Sequence, residues 1–110
     1  MFLPGTEGEH ITVEELYVII ENRKKNLLKS SYVTNLFKKG DDAILQKIGE
    51  EATEIIIAGK NESRERVISE IADLWFHTLI LLVQRNIAIS DIFSELQKRR
   101  VTGTRKNPQP

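Results

Sequence analysis

Apolar side chains along this chain recur every three or four positions rather than every second one, the period of helices and not of strands. In "HITVEELYVIIENRKK" the residues Val13, Leu16, Ile19 and Ile20 share a face, and Thr12 with Glu15 three positions later forms a capping box that starts a helix. "SYVTNLFKKG" carries Val33, Leu36 and Phe37 and stops at Gly40, a residue suited to a positive φ at a helix end. Asp41 is the expected cap of a third helix that runs to about Ala58 and halts at Gly59. Asn61 or Ser63 restarts the chain into a fourth helix, which reaches about Arg85. Ser90 is expected to cap a last short helix, "DIFSELQKRR". The prediction is an all-α protein, an antiparallel helical bundle of about five helices. The bundle spans residues 12–100, after an N-terminal extension (1–11) and before a loose polar tail (101–110).

The two central helices differ in their patterning. On the third, Ile44, Leu45, Ile48, Ala52, Ile55 and Ile56 fall on one face when positions are stepped by about 100°. The fourth is apolar nearly all round from Val67 to Val83, the pattern of a buried helix. A chain of 110 residues has too few helices to cover such a surface, so a homodimer that completes the bundle is expected. Trp75 and Phe76 are expected in the core or at that subunit interface.

Charge removes some classes of function. Lysines and arginines number 16, as do aspartates and glutamates, which gives no basic surplus for nucleic acid. There is no cysteine, hence no disulfide framework, thiolate metal site or thiol nucleophile. No uninterrupted apolar run approaches the 18 or so residues of a membrane span, and "MFLPGTEGEH" does not resemble a signal peptide. A cytoplasmic protein without membrane or nucleic-acid partners is expected.

What the acidic residues do locally is more telling. Glu50, Glu51 and Glu54 crowd one turn of the third helix, where like charges repel. Glu51 lies almost in line with the apolar edge, so its carboxylate is expected to run along the core. On the fourth helix the polar remainder is a stripe about 60° wide holding Glu70, Asp73, His77 and Gln84. A short turn near Gly59–Asn61 makes the two helices antiparallel neighbours and brings Glu51 level with Glu70. Four carboxylates, Glu51, Glu54, Glu70 and Asp73, are then expected to converge, with Lys47 the one lysine among them. Oxygen ligands with room for water suit Mg²⁺ or Mn²⁺. Each Glu-x-x-acid pair alone is an ordinary solvated face; their matched levels on adjacent helices carry the reading. His77 fits a hydrogen-bond partner better than a ligand. Lys38 and Lys39 either bind phosphates or complement the helix dipole, and Lys60 and Arg64 read as surface charges.

Glu51-x-x-Glu54, 15 residues, then Glu70-x-x-Asp73 resembles the metal motif of the MazG-like all-α NTP pyrophosphatases. More narrowly, "SYVTNLFKKGDDAILQKIGEEATE", "SEIADLWFHTLILL" and "EELYVIIENRKKN" resemble the phosphoribosyl-ATP pyrophosphatase family, covering roughly residues 13–100. Trp75 and Phe76 depart from the leucine and tyrosine usual in that family. The resemblance implies Mg²⁺-dependent hydrolysis of phosphoribosyl-ATP to phosphoribosyl-AMP and pyrophosphate, a step of histidine biosynthesis, by a stand-alone homodimeric hydrolase. It further implies that Glu51, Glu54, Glu70 and Asp73 hold the metal directly or through water and that Glu50 serves in the outer shell or positions the attacking water. Lys47 with Lys38 or Lys39 would hold phosphates, and Ser31 and Tyr32 would contact substrate. A house-cleaning nucleoside triphosphate pyrophosphatase shares this site, and a non-enzymatic helical module with an acidic binding face remains a different class. A di-iron bundle is a remote third reading, because the Glu-x-x-His pairs such sites use are missing from the helices.

Overall fold

A computed structural model describes residues 10–26 and 31–102. Its helices are α1 (Val13–Lys25), α2 (Tyr32–Lys39), α3 (Asp41–Lys60), α4 (Arg64–Gln84) and α5 (Ile89–Thr102), and no strand occurs among the described residues. Residues 1–9 and 103–110, most of the expected extension and tail, lie outside the description.

The α3–α4 hairpin is the frame. Along α3, Ile44, Ile48, Glu51, Ile55 and Ala58 alternate at spacings of four and three, which keeps one seam turned toward a neighbouring helix. Ile44 and Ala58 are buried in it, and so is Glu51. The facing α4 supplies Phe76, His77, Leu79, Ile80 and Val83 as its buried residues. Between the helices, the Ser63 N–H reaches the Ala58 carbonyl at 3.3 Å, with Glu62 at φ 57°. That backbone closes the helix end and reverses the chain in three residues. At the far end, the Asp41 carboxylate accepts from Gln84 Nε2 at 3.1 Å and Arg85 Nε at 2.9 Å.

The expected capping box of α1 forms as read: Glu15 N–H donates to Thr12 Oγ1 at 3.1 Å and Thr12 N–H to Glu15 Oε1 at 2.9 Å. Ile20 of α1 and Val33, Leu36 and Phe37 of α2 close the core over Ile44, Phe76, Leu79, Ile80 and Val83. Gly40 both ends α2 and begins α3 at φ 94°, a backbone that side chains rarely adopt, which accounts for glycine at this junction.

Three helix boundaries differ from the sequence reading. Asp41 lies inside α3, and Gly40 is the cap residue with no side-chain bond, because the Asp41 carboxylate is taken by α4. Gly59 does not halt α3, which continues through Lys60; a glycine within a helix costs only about 1 kcal/mol and the packed hairpin outweighs it. Ser90 is inside α5 rather than its cap, since a tight turn from the Ala88 carbonyl to the Asp91 N–H at 3.0 Å starts that helix earlier.

The apolar surface is only partly used. α3 carries a second seam, Leu45, Gly49, Ala52 and Ile56, and all four are exposed, Ile56 by 66%. On α4, Ile68 and Ala72 are exposed and Trp75 is 58% exposed. No described side chain of α5 is buried, and its Ile92, Phe93 and Leu96 face solvent. Trp75 is therefore surface and Phe76 is core. α4 is long and apolar enough by composition to match a membrane span, although no continuous apolar run of that length exists; its Phe76, Leu79, Ile80 and Val83 pack in the core.

Candidate metal centre

The seam of α3 forces Glu51 inward. Flanked along the helix by Ile48 and Ile55, it is 8% exposed, and α4 meets it with Glu70 and Asp73. One carboxylate oxygen from each of Glu51, Glu70 and Asp73 lies within 4.8 Å of the others. Burial pushes the Glu51 carboxyl above its ordinary value; His77 and Lys47 counteract this, and the Asp73 and Glu70 charges add to it.

His77, 2% exposed, is fixed from three sides. Its Nε2 is 2.6 Å from the Tyr32 hydroxyl, and its Nδ1 is 2.8 Å from the Asp73 carbonyl oxygen and 2.9 Å from Glu51 Oε1. Both neighbours of Nδ1 are acceptors, which assigns a hydrogen to Nδ1. That N–H is directed at the carbonyl, so Glu51 Oε1 is a buried oxygen without a well-aligned donor. An unsatisfied buried acceptor is costly, and here it belongs to a carboxylate grouped with two others, those of Glu70 and Asp73. His77 is thus a hydrogen-bonded partner beside the cluster, as expected from its place in the stripe.

Other predicted residues are distributed around this centre. Glu54, one turn along α3 and partly exposed, lies outside the cluster of three; its Oε2 is 3.2 Å from Arg66 Nη2. The same Arg66 nitrogen is 3.4 Å from Glu70 Oε2. Arg66 joins the acidic stripe although the sequence reading placed only Lys47 there; its spacing of four from Glu70 was the available signal. Glu50 is at the exposed rim, accepting from Gln46 Nε2 at 2.9 Å and from Lys47 Nζ at 3.4 Å, and these two bonds lower its carboxyl below the ordinary value.

On the α2 side, Ser31 is buried and occupied: its Oγ caps α2 by accepting from Thr34 N–H at 3.2 Å and accepts from Arg23 Nη1 at 3.2 Å. Tyr32 opens toward the cluster. Burial raises its phenol above the ordinary value, Lys47 opposes the shift, and Glu51, Asp73 and Glu50 reinforce it. Lys38 and Lys39 are exposed in the last turn of α2, about 10 Å along the helix from Tyr32 at 1.5 Å per residue. Neither lysine forms an ion pair with Glu50, Glu51, Glu54 or Glu70, whose pairs are with Lys47, His77 and Arg66.

This fold, with carboxylates meeting across a long helical hairpin, is the arrangement expected of the all-α NTP pyrophosphatase class. Residues 13–100 match the phosphoribosyl-ATP pyrophosphohydrolase family, and the chain belongs to it. It is 52% identical over 87 residues to a phosphoribosyl-ATP pyrophosphatase of Clostridium acetobutylicum, covering 79% of each chain. The one from Geobacter sulfurreducens is also 52% identical over 87 residues, covering 79% of this chain and 81% of the relative. A third relative, the histidine biosynthesis bifunctional protein HisIE of Caldanaerobacter subterraneus, is 47% identical over 94 residues. The match takes in 86% of this chain and 46% of that relative, about half its length.

Proposed function

We propose that this chain is a phosphoribosyl-ATP pyrophosphatase that cleaves the α–β phosphoanhydride of phosphoribosyl-ATP, giving phosphoribosyl-AMP and pyrophosphate in histidine biosynthesis. Family membership supports the substrate, and the observation that carries the chemistry is the buried Glu51 carboxylate, one oxygen of which lies within 4.8 Å of oxygens of Glu70 and Asp73 while its Oε1 has no hydrogen-bond partner. Three hard carboxylate donors, one of them buried with an unsatisfied oxygen, fit Mg²⁺, with Mn²⁺ as an alternative. Glu51, Glu70 and Asp73 would hold the ion, and Glu54 is one turn away on the same helix. Such an ion, when bound, polarises phosphoryl oxygens and lowers the pKa of bound water.

The chain's own residues do the rest. Tyr32 is held by the 2.6 Å contact of its hydroxyl with His77 Nε2, which places it to contact substrate at the edge of the centre. Lys47 sets a positive charge between Glu50 and the Tyr32 ring, placed to hold a phosphate as charge builds on it. Glu50 at the rim is positioned to orient the attacking water. Ser31 contributes by fixing the start of α2, and Lys38 and Lys39 would steer the polyphosphate from further out.

Pyrophosphate release should be seen with phosphoribosyl-ATP and Mg²⁺, cease with EDTA and return when Mg²⁺ is restored. Release from deoxynucleoside triphosphates instead would move the enzyme to house-cleaning; release from neither would leave the acidic face a binding surface.

The reading includes a homodimer in the cytoplasm. The exposed seams of α3 and α4 and the uncovered stripe of α5 are the surface a second copy would bury. Sedimentation should give a dimer for the native chain, and Trp75→Lys, which puts a charge in the exposed α4 seam, should give monomers. A monomeric native chain at all concentrations rejects this part.

A further inference from the structure

Arg66 is a cation lodged against an acidic centre, and its geometry is unlike that of an isolated surface ion pair. One nitrogen, Nη2, serves two carboxylates on different helices, Glu54 on α3 and Glu70 on α4. Glu70 is at the same time a member of the cluster of three, and it is the less exposed partner of Arg66, its side chain 16% accessible against 41% for Glu54. Glu54, which the chain spacing places beside the cluster, is outside it and on Arg66.

A guanidinium and a divalent cation make competing claims on these oxygens. Arg66 carries a single charge spread over a planar fork and holds its partners at 3.2 and 3.4 Å. A small divalent ion draws carboxylate oxygens to about 2.0–2.1 Å for Mg²⁺ and repels a neighbouring cation. Glu54, whose Oε2 is held by Arg66 outside the cluster, would have to swing from that pair to become a ligand.

We infer that Arg66 is a displaceable counter-ion: it neutralises Glu70 and withholds Glu54 from the cluster, and a divalent cation binds in exchange for it. Arg66 is a positioning residue in this account, acting through Glu54 and Glu70. The inference rests on the metal reading above. Its consequence is that loss of Arg66 strengthens metal binding, whereas loss of a merely structural clamp would weaken it.

The test is Mn²⁺ binding to the full chain without substrate, followed by titration calorimetry or by the electron paramagnetic resonance of free Mn²⁺. Arg66→Gln should tighten binding by about threefold or more, the scale of one exposed ion pair. Glu54→Gln should have little effect in the native background but weaken binding severalfold in the Arg66→Gln background, because only there is Glu54 free to join. Such non-additivity separates exchange from a general field effect, in which the two changes add. Unchanged or weaker binding in Arg66→Gln, or additive effects, overturns the inference. Glu51→Gln keeps its failure distinct from that of the metal site: Mn²⁺ binding unaffected by Glu51→Gln rejects the site itself, whereas binding lost there but untouched by Arg66→Gln rejects only the counter-ion.

Discussion

Glu51→Gln should reduce pyrophosphate release by roughly a thousandfold, about 4 kcal/mol of transition-state stabilisation if a bound cation supplies several kcal/mol through this residue. The change is nearly isosteric, and the side chain keeps its place in the Ile44, Ile48, Ile55 seam. The fold should therefore survive, and circular dichroism with thermal melting checks that it does. Stability without metal should even rise near neutral pH. Burial raises the Glu51 carboxyl in the folded chain above its unfolded value, so folding takes up a proton as pH increases between the two. The contribution of Glu51 to stability is most favourable below the unfolded value and declines as pH rises through the folded one. A glutamine lacks that decline. The same shift means that protons compete with a cation for Glu51 at a higher pH than for an ordinary glutamate, so Mn²⁺ affinity should begin to fall earlier on acidification. A Glu51→Gln enzyme that retains most of its activity would remove Glu51 from the metal set.

Ile80→Ala should destabilise the fold by about 2–5 kcal/mol. Ile80 is fully buried on α4, in the cluster where Ile20 of α1, Phe37 of α2 and Ile44 of α3 meet. The lost side chain leaves a cavity that four helices would have to collapse together to fill. Domains of this size are commonly stable by only 5–15 kcal/mol, so the variant approaches the edge of folding. Urea unfolding at one fixed protein concentration measures the difference and keeps any effect of association constant. Ile80→Val, which removes a single methylene, should lose only about 0.5–1.5 kcal/mol. Equal small losses in both variants would mean that the site is not tightly packed.

Much of the centre could be read from the chain because it depends on spacing. Glu51 falls in a seam of four-and-three spacing with Ile44, Ile48, Ile55 and Ala58, and that alone turns a carboxylate inward. Glu70, Asp73 and His77 share one stripe of an apolar helix, and the short turn sets their level. Positions decided by competition between partners were less legible. Asp41 looks like a helix cap until Gln84 and Arg85, more than 40 residues later, take its carboxylate. Glu54 looks equivalent to Glu51 until Arg66 takes it. The apolar face of α3 also divides into two seams, and sequence gives no reason why Ile48 should face the core while Ile56 faces outward. That choice is made by the register of α4.

The three-residue reversal between α3 and α4 also bears on the order of folding. Glu51 and Asp73 are close in sequence and meet as soon as the two longest helices zip together. Local contacts of this kind involve little loop-closure entropy and favour rapid folding. The acidic cluster can therefore assemble within the hairpin before α1 docks on α4. Three negative charges brought together early oppose closure of that hairpin, and ions in the medium that screen or bind them should speed the step.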